Sequence, residues 1–242
     1  MNKQKQNLFV AVLSLSFALF SCKGTVDETY TNVIPADASV VISANLNELM
    51  SKAGYKDYQS IGKAVGDFYA EAITSTPEIV NAIMENPEES GIDLDAPIYI
   101  FQHSDGKSTG LVFRVDDKNK VDTWLNPILA GAGSMSTSRI HLDENALLAF
   151  DQYTEQQWQQ PATPEAQFNQ SVGFKKMKEA DGDIHYCCNT RDLCAKYGYK
   201  AITSQPPIYT ETLLVGSCNF DKGTASLTAA LVGKTPEAEA GI

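Results

Sequence analysis

Five cysteines, three histidines and 30 acidic residues are what this 242-residue chain offers for chemistry. A thiolate is both a nucleophile and a soft metal ligand, which puts Cys187, Cys188, Cys194 and Cys218 first. Their spacing is C-C-x5-C with a distant fourth, without the paired C-x-x-C of structural zinc. Successive strand residues face opposite ways, so Cys187 and Cys188 cannot both reach one ion without distortion. His185 falls on the polar face with Cys187, which keeps a thiol or metal module as an alternative. In an oxidising compartment the four thiols suit at most one disulfide, from Cys218 to Cys188 or to Cys194. No metal and no cofactor is expected.

Hydrolysis would need a nucleophile or a carboxylate pair held in one place. His103, His141 and His185 stand in three separate segments, and none has a G-x-S-x-G nucleophile motif beside it. Asp93 with Asp95, Asp116 with Asp117 and Asp181 with Asp183 could each touch calcium, yet none continues into D-x-[DN]-x-[DN]-G. Caps and turns account for them better. Folding could assemble a glycosidase pair from any of the 30 acids, so their presence assigns nothing. No catalytic residue is expected, and an extracytoplasmic hydrolase acting on glycan or peptide stands as the alternative to a non-enzymatic binding or structural protein.

The remaining cysteine carries the clearest chemistry. Lys3 and Lys5 precede an apolar run over 8–20 that is too short to span a bilayer, and Leu19-Phe20-Ser21-Cys22 follows. That segment resembles the bacterial lipobox, in which cleavage before the Cys is coupled to diacylglycerol transfer to its thiol. Residues 1–21 therefore read as a signal peptide, Cys22 as the lipidated residue and 22–32 as a polar tether. Several acyl chains make a stable anchor, each buried methylene contributing about 0.8 kcal/mol. The expected partner is a lipid bilayer, reached through acylated Cys22, and the expected place is the outer membrane, facing the periplasm or the cell surface. Lys23 followed by Asp27-Glu28 is similar to the surface-export signal of Bacteroidetes lipoproteins, with three residues in between. Without residues 1–21 the chain carries 17 basic against 30 acidic residues, a balance of −13. Such a charge argues against nucleic acid or an anionic membrane face as partner. In a binding role the expected ligand is an envelope protein or a glycan.

Around these residues the chain repeats itself. V-V-I-S-A-N-L-N-E-L-M-S-K-A-G-Y at 40–55 recurs as I-H-Y-C-C-N-T-R-D-L-C-A-K-Y-G-Y at 184–199, matching Asn45 with Asn189, Leu49 with Leu193 and Gly54-Tyr55 with Gly198-Tyr199. Each copy reads as a strand turning at an Asn cap into a short helix. Period two sets Val40, Ile42 and Ala44 on one face and Val41 and Ser43 on the other. Cys188 then matches Ala44 and Cys194 matches Met50, both core positions. V-I-P-A-D-A-S-V-V at 33–41 and S-G-I-D at 90–93 give the chain its resemblance to a family of uncharacterised Bacteroidetes lipoproteins, which implies no catalytic residue.

Helical stripes are expected over 58–73 and from Thr76-Pro77-Glu78, and a further helix after Asp116-Asp117 that Pro127 kinks or shortens. Strand pairs follow at 97–101 with 109–115, at 139–142 with 146–150, and at 213–220 with 224–232. The order strand, helix, strand, strand, helix, strand matches a split βαβ unit. The expected fold is α+β: an antiparallel sheet with helices on one face, built from two related ferredoxin-like (split βαβ) units, the second incomplete. The first unit occupies 33–151 with a helical insertion at 56–91, a polar connection 152–182, the second unit 183–233 and a frayed tail 234–242. Function is expected in the insertion and the connection, the parts that the two units do not share, and Tyr99, Phe101 and Trp158 on an exposed sheet face would favour binding.

Overall fold

The structure, a computed structural model, describes residues 28–52, 82, 86–104, 106, 109–132, 139–150, 161, 163–196 and 211–242. The lipobox, the expected helices over 58–73 and from Thr76, and Trp158 lie outside them.

Among the described residues eight strands form one antiparallel sheet. In chain order they are β1 (Val40–Ala44), β2 (Ile98–Gln102), β3 (Thr109–Arg114), β4 (Arg139–Leu142), β5 (Ala146–Phe150), β6 (Ile184–Asn189), β7 (Thr212–Asp221) and β8 (Thr224–Gly233). Across the sheet the order is β4-β5-β3-β2-β1-β6-β7-β8. Among the described residues the α-helices are α1 (Leu46–Lys52), α2 (Lys118–Ala132), α3 (Val172–Glu179), α4 (Thr190–Lys196) and α5 (Pro236–Glu239).

The two copies of the repeat meet at the centre of the sheet as β1 and β6. Val40 faces Cys188, Ile42 faces Tyr186 and Ala44 faces Ile184. Because Val40 matches Ile184 and Ala44 matches Cys188 in the repeat, each pair exchanges equivalent positions, and a local two-fold axis passes through Ile42 and Tyr186. From it β2 and β3 extend one way and β7 and β8 the other.

This arrangement is α+β but differs in order from a split βαβ unit. Such a unit keeps its first two strands apart with another between them. Here β1 and β2 are antiparallel neighbours, Val41 facing Phe101. The physical reason is that β1 has two edges, and β6 and β2 occupy both. Nor are the helices confined to one face. Val112 pairs with Leu148 and Phe113 with Leu147, so the two pairs point to opposite sides of the sheet. Leu148 and Val112 lie in the main core with Phe174 and Met177 of α3, whereas Leu147 and Phe113 pack with Val121, Leu125 and Trp124 of α2.

The main core covers the Val41 face, not the more apolar Val40 face. Val41, Tyr99 and Phe101 are almost completely buried. Their cover is the 3-10 turn Thr29–Val33, which begins in the expected tether and ends in the first unit, together with α3. Tyr30 packs edge-on against Tyr99, ring centres 5.9 Å apart, and its hydroxyl donates to the Pro97 carbonyl at 2.6 Å. Part of the polar connection thus belongs to the scaffold: Phe168 N–H donates to Ile34 O at 2.9 Å, and Ser171 caps α3 through its Oγ on Phe174 N–H. Helix α2 continues through Pro127 instead of stopping there. The expected frayed tail holds α5, capped by the Thr235 hydroxyl, with Ala238 buried and Gly233 N–H donating to the Glu239 carboxylate.

The S-G-I-D signature is a joint. Gly91 has φ +76°, and a Cβ there would meet Asp117 O at 2.3 Å. The close approach lets Gly91 O accept the amides of Asp116 and Asp117 at the start of α2, at 2.9 and 3.0 Å. Ser90 O accepts from Trp124 Nε1. Asp93 accepts the Asp95 and Ala96 amides and pairs with Arg114 at 2.5 Å.

Candidate functional site: a polar cleft beside the local two-fold axis

Where β1 ends, Asn45 Oδ1 accepts Glu48 N–H at 2.9 Å and caps α1, while Asn45 Nδ2 reaches across to Asp95 O at 2.8 Å. Asn47 Nδ2 donates to the Asp95 carboxylate at 2.8 Å. These bonds hold the segment before β2 against α1 and make one wall. The facing wall is the end of α3 and the turn into β6, carrying Lys178, Asp181, Asp183 and His185. Ser43, which is buried, also lines the space. The walls enclose a half-open cleft of about 900 Å³.

Asp183 fixes the second wall. Its side chain is 2% exposed and accepts from Lys52 Nζ at 2.6 Å and from Phe220 N–H at 2.7 Å. Burial alone would raise its carboxyl, but the Lys52 ammonium, the Phe220 amide and the His185 ring outweigh burial and hold it below the usual carboxylate range. The same contact raises Lys52. A carboxylate so held stays ionised at neutral pH and cannot serve as a general acid. A ring nitrogen of His185 lies 3.0 Å from the Ala180 carbonyl, which fixes the imidazole to backbone and not to a nucleophile. Lys178 pairs with Glu28. The cleft therefore presents carboxylates, amides and one ammonium to a ligand rich in hydroxyl, amide or amine groups.

The cysteines lie elsewhere and do not converge. Cys187, not Cys188, is the buried one, 4% exposed, against Gly173 of α3 and Leu213, because the covered face is that of Val41. Burial pushes its thiol up to about 12, which leaves almost no thiolate at neutral pH. Cys188 and Cys194 are half-buried, and the Cys188 thiol is also raised by burial. All four are free thiols. The expected bridge from Cys218 to Cys188 fails on register: Cys218 faces Ile184 and Cys188 faces Leu214, four residues along the strands. At about 3.3 Å per residue that is about 13 Å, roughly twice the Cα separation a disulfide spans. Cys194, the other expected partner, is on α4 and unbridged. Among the described residues no cluster of three His, Cys, Asp or Glu is placed to hold a metal. Among them, too, no helix is long and apolar enough to cross a membrane.

Tyr99 and Phe101 are core residues, 1% exposed, so they make no aromatic binding surface. Asn45, Asn47, Glu48, Asp95 and Lys178 share no sequence motif that would bring them into one cleft, and Asp181, Asp183 and His185 carry only a turn and strand pattern. The available signal was the pair Asp183-x-His185 at the entry to β6, two residues apart and so on one side, with Asp181 in the turn before it.

A family model described as a domain of unknown function, DUF4836, matches residues 30–230. The chain belongs to this family. The match begins at buried Tyr30 and takes in both copies of the repeat, so the DUF4836 unit is the sheet with its local two-fold axis and the cleft. No curated protein matches the chain. Among solved structures, crystal form III of TP0453 is similar at 9% identity over 83% of this chain and 78% of that one, with a TM-score of 0.39, a likeness too distant to assign anything to the DUF4836 chain.

Proposed function

We propose that this DUF4836 chain is a non-enzymatic lipoprotein of the bacterial envelope, anchored to the outer membrane bilayer through acylated Cys22, that binds an envelope glycan in the cleft between α1 and residues 178–185. The observation that carries the reading is the cleft itself: its volume lies in the range of small-ligand sites, about 300–1,000 Å³, and its walls present Asn47, Glu48, Asp95, Asp181 and Lys178. Carboxylates and amides accept sugar hydroxyls, and Asn and Lys donate to ring and carbonyl oxygens. Glycan is favoured over a protein partner because the site is concave, and binding over glycan hydrolysis because Asp183, buried and bonded to Lys52 and Phe220 N–H, and Asp95, bonded to Asn47, are engaged in holding the walls together. The lipobox resemblance and the likeness to Bacteroidetes lipoproteins support the envelope location.

The test is affinity capture from the envelope. Detergent-solubilised mature protein, immobilised away from the cleft, retains a glycan fraction identified by mass spectrometry, and Asn47→Ala with Asp95→Ala loses it while melting as a folded protein. Equal retention by the double variant overturns the site, and reproducible turnover of the captured glycan overturns the non-enzymatic reading.

A further inference from the structure

The two-fold axis makes β8 the counterpart of β3, each the third strand out from the centre. The outer edge of β3 is covered by β5, antiparallel from Gly110 facing Phe150 to Arg114 facing Ala146. The outer edge of β8 has no strand beside it among the described residues, and Thr224 to Leu231 are exposed on both faces. Natural edge strands are blunted by a Lys, a Pro, a bulge or short length. β8 pairs with β7 without interruption over ten residues and contains no charged residue and no Pro. One of its faces carries Ala225, Leu227, Ala229 and Leu231, with Leu227 69% and Leu231 47% exposed, and Phe220 opposite Ala225 on β7 is 39% exposed.

We propose that β8 is a self-association edge, on which a second copy of this chain lays its own β8 antiparallel about a two-fold axis through Ala229. Two features choose a second copy. The chain carries a net charge of −11, so two copies repel wherever acids face each other, and the uncharged β8 edge lets them meet without that repulsion. Self-pairing through Ala229 also sets Leu227 beside the partner's Leu231 on one face, removing both from water and repeating between chains what β1 and β6 do within one. The result is a closed dimer with one continuous sheet, and the β4 edges stay outermost.

The experiment is disulfide trapping of the full-length protein in its own oxidising envelope. Directly opposed residues on antiparallel strands have Cα atoms about 4.5–5.5 Å apart, within disulfide reach. Ala229→Cys should give a dimer band on non-reducing gels at least tenfold stronger than wild type or Lys222→Cys, an exposed turn position off the axis. Adding Leu227→Lys should return the band to background while leaving thermal melting unchanged, since Leu227 is largely exposed. Trapping no stronger than with Lys222→Cys overturns the proposal. So does a ladder of higher species, which would mean open head-to-tail pairing, a band to a different protein, or a dimer that survives Leu227→Lys.

Discussion

Asp183→Asn should destabilise the protein by about 1.5–3 kcal/mol at pH 7, the range for hydrogen bonds to a charged group. The carboxylate is 2% exposed and makes two short contacts, 2.6 Å to Lys52 Nζ and 2.7 Å to Phe220 N–H. Asn can still accept from Phe220, but it turns an amide NH₂ or a neutral oxygen toward the Lys52 ammonium. Lys52 is 39% exposed, so solvent screens the Coulombic part and the loss sits in the lower half of the range. For a domain of this size about 2–4 °C of melting temperature goes with each kcal/mol, so a fall of about 3–9 °C is expected. The pH dependence fixes the cause. The folded-state value of Asp183 lies below its ordinary value, so its stabilisation is present above the unfolded pKa, about 3.9, and is lost as pH falls through the folded value. The gap between wild type and Asp183→Asn should therefore be full at pH 7 and shrink below pH ~4, read by urea unfolding at each pH. A double-mutant cycle with Lys52→Met should return a favourable coupling. A gap under about 0.5 kcal/mol at pH 7, or one that does not change with pH, would refute the reasoning.

Three further outcomes follow. Gly91→Ala should lower stability by about 1–3 kcal/mol, because the added Cβ meets Asp117 O at φ +76°; an unchanged melting temperature would show that the joint to α2 gives way freely. Denatured, unreduced mature protein should show four reactive thiols, and in the native state Cys187 should label last because it is buried; fewer than four would restore a disulfide. Cys22→Ala should move the protein from the membrane to the soluble fraction, and persistent membrane fractionation would remove the anchor.

The repeat was legible because its matched residues are local: a strand, an Asn and a short helix. How the copies pair was not, since which edge of β1 is taken depends on β2, which begins more than 50 residues after β1 ends. Even the repeat overstates the likeness, because Asn45 Oδ1 caps α1 whereas Asn189 Oδ1 is buried with no partner. The choice of buried face also escaped the local pattern. Val40, Ile42 and Ala44 are the more apolar set, yet Tyr30 and Ile34 from the segment just before β1 and Phe174 from far along the chain cover Val41. The tail helix could have been read: Thr235-Pro236-Glu237 is the same start signature as Thr76-Pro77-Glu78. The cleft could not, because Asn47, Asp95 and Asp183 converge only after β1 has paired with both β2 and β6.

Calorimetric titration of the mature protein with glycan released from its own envelope tests the central claim most directly. Saturable binding that weakens at least tenfold in Asn47→Ala with Asp95→Ala, without loss of fold, is the predicted result. Binding unaffected by these changes, or no binding by the wild-type protein, would contradict it.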